Sequence, residues 1–119
     1  YVANVMTQEG ETEGYTLSDH IHALFEHAGG GGLFDLCLVN SAVIPEPLLA
    51  RYAQEGAEPL RIDQAECEKL GVELAAREVA GTQNGLVRHD PDRLAAALLE
   101  IHGQRSVRIA GSGSYRMER

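Results

Sequence analysis

Residues 34–40, Phe-Asp-Leu-Cys-Leu-Val-Asn, constrain this chain more than any other stretch. The run is apolar at nearly every position instead of at alternate ones, so it has no face to offer to water. Such a segment suits a strand covered on both sides in a parallel sheet. On either side of it the apolar period changes from strand to helix. Leu17, Ile21, Leu24, Phe25 and Ala28 recur at helical spacing behind a capping box formed by Thr16 and Asp19, and Gly29 is placed to close that helix. After the strand, Pro45 and Pro47 suit a first helical turn, with Leu48, Leu49, Tyr52 and Ala53 on one face before Gly56. Pro59–Ile62 reads as a short strand, Asp63 as the cap of a helix over 64–70, and Val72–Ala75 as a further strand. The stretch 77–87 is weakly patterned. The last helix has Asp90 at the cap, Pro91 in its first turn and Leu94, Ala97, Leu98 and Ile101 along its buried face, and Gly103 is expected to end it. Strands alternating with helices in this way predict an α/β fold with a mostly parallel sheet.

Charge narrows the partners. The formal net charge is −8, yet residues 103–119 carry four arginines against one glutamate, so the first 102 residues hold about −11. A body this acidic repels a phosphate backbone, which excludes nucleic acid as a natural partner. Residues 103–119 read as a basic, flexible tail behind a domain over 1–102. No apolar run approaches the roughly 18 residues that would suggest a membrane span. The opening Tyr1-Val2-Ala3-Asn4-Val5 is β-prone, without the basic start of a signal peptide, and suggests that upstream sequence is missing. Cys37 and Cys67 fall in a strand and a helix with no metal spacing and read as buried free thiols, which favours a reducing cytoplasm.

In open α/β sheets ligands sit outside the carboxyl ends of the strands. Two segments have that place here: Asn4 to Tyr15, and Asn40 to Ile44. Asn4, Thr7, Gln8 and Asn40 are groups able to read a sugar hydroxyl or a base edge, and equally able to serve as ordinary loop residues. Arg88 lies just before a helix N-terminus, where an anion is already favoured, and an arginine there can grip a phosphate or simply pair with a surface carboxylate. His89 has the right basicity for acid–base work, but no partner is evident in the sequence. His20 and His27 are two helical turns apart and His22 points elsewhere, so no metal site is expected. Gly29 to Gly32 follows a helix instead of a strand, with no Gly-Lys-Ser/Thr after it, and reads as a connection. No residue set for nucleophilic catalysis is apparent.

The opening YVANVMTQEGETEGYTLSDHI, followed by DLCLVNSAVIPEPLLARYAQEGAEPL and LVRHDPDRLA, resembles the YvcK/CofD-like family in order and spacing from Tyr1 to about Ile101. Ala3 stands where cysteine is common in that family. The resemblance is closer to the gluconeogenesis factors than to the phospholactate transferases. It implies the C-terminal portion of a Rossmann-like three-layer α/β/α domain in a cytoplasmic protein. It also implies a regulatory, non-catalytic binder of UDP-sugars such as UDP-N-acetylglucosamine or UDP-glucose, linked to carbon metabolism and cell morphogenesis. The ligand would be held by Asn4, Thr7, Gln8, Tyr52 and Arg88, with Asn40 added as a candidate by its place at the end of the strand. The family's glycine-rich loop has no counterpart in this chain, which implies a missing N-terminal half or a homo-oligomer that completes the pocket. Two alternatives stand beside this one: a 2-phospho-L-lactate transferase-like enzyme using magnesium on a deazaflavin precursor, and a scaffold that binds nothing.

Overall fold

The computed structural model describes residues 1–7 and 14–111, with side chains described as far as Arg105. Its centre is a parallel pair, β1 (Leu36–Asn40) and β2 (Glu73–Arg77), in register from Leu36 opposite Glu73 to Asn40 opposite Arg77. The N-terminal residues add to the other side of β1: Leu38 N–H donates to the Tyr1 carbonyl at 2.8 Å, and Ala3 N–H donates to the Leu38 carbonyl at 3.0 Å. The expected Tyr1–Val5 strand is therefore present only as a short parallel bridge at Val2.

Along β1 the side chains alternate between two separate cores. Cys37 and Val39 join Ala3, Leu17, Ile21, Phe25, Leu60, Cys67 and Val72 on one side. Leu38 joins Val79, Ala97 and Ile101 on the other, with Leu36 packed against them. Burial on both faces is the physical reason β1 is apolar from Leu36 to Val39. The first core is covered by α1 (Leu17–His27) and α3 (Gln64–Lys69), the second by α4 (Pro91–Gly111). Both thiols are fully buried and free, and burial pushes them up to about 11 for Cys37 and about 12 for Cys67, so neither is a nucleophile at neutral pH.

The caps at α1 and α4 follow the sequence. Thr16 and Asp19 form the reciprocal capping box of α1, and the Asp90 carboxylate accepts from the N–H groups of Asp92 and Arg93. Asp63 behaves differently from expectation. It stands at the cap position of α3, and its carbonyl accepts from Cys67 N–H at 3.1 Å, but its carboxylate makes no capping bond to the backbone of that helix. Its carboxylate instead accepts from the backbone N–H and the hydroxyl of Ser18 in the first turn of α1, and so staples the two helix starts together.

Four further expectations are corrected. Residues 59–62 form no strand, because Pro59 lacks an N–H and the segment is shared between an antiparallel bridge to Met6 and a parallel bridge from Arg61 to Thr16. The unpatterned stretch 77–87 contains β3 (Ala80–Gln83), which pairs antiparallel with β4 (Leu86–His89), so the pairing is mixed. The turn between them is Asn84-Gly85, with φ of 54° and 73°. Positive φ at both central residues is the geometry of a type I′ hairpin, and Asn-Gly is its strongest sequence signal. Gly103 does not end α4, which runs on to Gly111; an exposed helical glycine costs only about 1 kcal/mol against alanine. Leu98 is 45% exposed and not on the buried face of that helix. Among the described residues, no helix is long and apolar enough to cross a membrane.

Candidate functional site

A cleft of about 420 Å³ opens between the N-terminal segment, the helix α2 (Glu46–Gln54) and the outer side of β4. It is lined by residues 4–7, Tyr52 and residues 86–89, which brings Asn4, Thr7, Tyr52 and Arg88 together from three distant parts of the chain. The volume suits a small-molecule ligand.

Each wall is held by identifiable bonds. Thr7 is buried; its N–H donates to the Glu58 carbonyl at 2.8 Å and its hydroxyl oxygen accepts from Glu58 N–H at 3.0 Å. Tyr52 comes from α2, a helix with no fully buried residue. Its hydroxyl oxygen accepts from Val87 N–H at 2.9 Å, which docks the helix on the hairpin and leaves the phenolic proton able to donate. The Arg51 guanidinium lies 5.8 Å from the centre of the Tyr52 ring. It also packs over Gly85, where a Cβ would come within 3.1 Å of its Nη1; the φ of 73° is what makes glycine the fitting residue at this turn. His89 sends Nε2 to within 3.1 Å of the Ala3 carbonyl, tying β4 to the segment that carries Asn4. A carbonyl only accepts, so Nε2 carries the proton in this contact. Arg88 is exposed on β4, and among the described residues it makes no ion pair or side-chain hydrogen bond.

Asn40 does not line the cleft. Its Oδ1 accepts from the N–H groups of Ala42, Val79 and Ala80 at 3.0–3.1 Å, and its Nδ2 donates to the Ala42 carbonyl. The amide thus anchors the start of β3 to the end of β1 and supports the hairpin wall from behind. Gln8 lies outside the described residues. The sequence reading missed Leu86, Val87 and His89 as a wall, because no apolar period marks a hairpin whose side chains are half exposed; the Asn84-Gly85 pair was the available signal.

The chain matches the family described as "2-phospho-L-lactate transferase CofD" over residues 1–80. The gluconeogenesis factor of Bacillus subtilis is 39% identical over 101 residues, which are 85% of this chain and 32% of that protein. The gluconeogenesis factor of Halalkalibacterium halodurans is 40% identical over 100 residues, 84% of this chain and 31% of that protein. A crystal structure of a protein from Bacillus halodurans superposes with a TM-score of 0.77 at 39% identity, covering 83% of this chain and 32% of that one. The chain spans about a third of the length of these relatives. A match over two thirds of its residues, with the same fold at this identity, places the chain in the CofD family, among the relatives named gluconeogenesis factors.

Proposed function

We propose that the cleft is part of a nucleotide-sugar site in a regulatory, non-catalytic protein of the gluconeogenesis-factor type. The observation that carries this reading is the convergence of Asn4, Thr7, Tyr52 and Arg88 on one cleft of ligand size. Arg88 supplies a guanidinium, unpaired among the described residues, for a diphosphate, Tyr52 supplies a ring face and a hydroxyl, and Asn4 supplies an amide for hydroxyl groups. UDP-N-acetylglucosamine and UDP-glucose are the ligands of choice, in a cytoplasmic protein acting on carbon metabolism and cell morphogenesis. The two faces of the parallel sheet, each with its own core, suit one portion of a Rossmann-like three-layer α/β/α domain. The rest of the pocket, including a glycine-rich loop, would come from the additional length seen in the relatives or from a second copy.

Titration calorimetry with UDP-N-acetylglucosamine, on this chain and on a version extended to the length of its relatives, tests the proposal. Arg88→Ala should weaken binding roughly 10- to 100-fold, the loss expected for a charged hydrogen bond, and Tyr52→Ala should weaken it as well. Unchanged affinity in both variants would sink the reading. The family's description favours a second reading, a phospholactate transferase-like enzyme that uses magnesium on a deazaflavin precursor. Binding of that precursor alone, with no UDP-sugar bound, would select it; silence toward both ligands would leave a scaffold.

A further inference from the structure

The outer edge of β4 is an unusual wall for a cleft. Four consecutive residues, Leu86 to His89, line it, whereas the face of a strand would contribute only alternate ones. The cleft therefore meets the strand side-on, along its main chain. The ladder shows which main-chain groups point there. Asp90 N–H donates to the Val79 carbonyl at 2.7 Å, so the neighbouring pair Ala80–His89 is a non-hydrogen-bonded one, and by alternation so is Thr82–Val87. The N–H and C=O groups of Val87 and His89 thus face away from β3. Val87 N–H is taken by the Tyr52 hydroxyl from the cleft side, which confirms the direction. The Val87 carbonyl and the N–H and carbonyl of His89 have no partner among the described residues.

An added strand is a poor occupant for this edge. It would need Val87 N–H as well as His89 N–H, and the first is already committed to Tyr52. What remains is an acceptor, a donor and an acceptor over residues 87–89, on a wall that also carries Arg88. That pattern suits a small planar ring attached to an anionic group.

We propose that the β4 main chain reads the base of the ligand. A ring N–H donates to the Val87 carbonyl while the adjacent ring carbonyl accepts from His89 N–H, as the imide edge of a uracil can do. The inference rests on the nucleotide reading of the cleft and deepens it. Recognition resides in backbone groups, and the hairpin turn, the Tyr52 bond and the Asn40 anchor serve to hold that edge open and in place.

The test compares UDP with UDP methylated at the uracil N3, by calorimetry and by amide hydrogen exchange of His89 in the same extended protein. Methylation should weaken binding about tenfold or more, the loss expected when a buried hydrogen bond is replaced by a clash. The His89 amide should gain exchange protection with UDP and lose that gain with the methylated form. Equal affinities for the two nucleotides, or weaker binding of the methylated one with no protection of His89 by UDP, overturns main-chain reading while leaving the nucleotide site standing. No binding of UDP at all removes both.

Discussion

The two sides of this molecule are held together by different physics. Around β1 the structure is apolar and closed: Leu17, Ile21, Cys37 and Cys67 are fully buried, and among the described residues the side-chain link between the starts of its two covering helices, α1 and α3, is the Asp63–Ser18 staple. Around the β3–β4 hairpin the side chains beyond Ala80 are exposed or half exposed, and position is set by single side-chain bonds to main chain: Asn40 to Val79 and Ala80, Tyr52 to Val87, His89 to Ala3. The first arrangement resists local change because many contacts share the load. The second is adjustable, since each bond contributes only about 1 kcal/mol net. A rigid sheet carrying a wall held by a few directional bonds is a common way to build a ligand cleft.

The largest effect that would probe the difference is a cavity in the closed core. Ile21→Ala should cost about 2–5 kcal/mol in denaturant unfolding, with ligand affinity unchanged while the protein remains folded. A cost below about 1 kcal/mol would mean that the core is not the principal source of stability. Asn40→Ala comes next. It strips the acceptor from three N–H groups and should destabilise by about 1–3 kcal/mol. It should also weaken ligand binding without removing any residue from the cleft, and separate stability and affinity measurements would show both losses. Loss of stability with full affinity would show that the hairpin keeps its place without this anchor.

The smallest effect concerns acid. Burial pushes the Asp63 carboxyl up, but the hydrogen bonds from Ser18 and Thr16 outweigh it and hold the group below its ordinary value of 3.8. A carboxylate depressed in the folded state contributes stability that is present above the unfolded value and disappears as pH falls through the folded one. Stability should therefore decline below about pH 4, and Asp63→Asn should flatten that decline in a pH series of unfolding midpoints. An equal slope in both proteins would place the acid sensitivity elsewhere.

Much of the closed side was legible in advance. The Thr16 capping box, the Gly29 stop, the β1 run and the Asp90-Pro91 start depend on residues within a few positions of one another, and local sterics and hydrogen bonding decide them. The resemblance carried by YVANVMTQEGETEGY and LVRHDPD also pointed correctly to the family, and it selected four residues that share the cleft. The hairpin was legible in principle from Asn84-Gly85 but carried no apolar period, because its side chains are half exposed.

The chain alone determined where its helices start, which strand must be buried on both faces and which family it joins, because those properties follow from neighbouring residues and from apolar period. Tertiary structure alone decided that Asp63 serves another helix and that Asn40 anchors a strand 39 residues away. It also decided that the outer main chain of β4 faces a cleft. A polar side chain bonds to whichever donor or acceptor the fold brings within about 3 Å, and its identity does not say which one that will be.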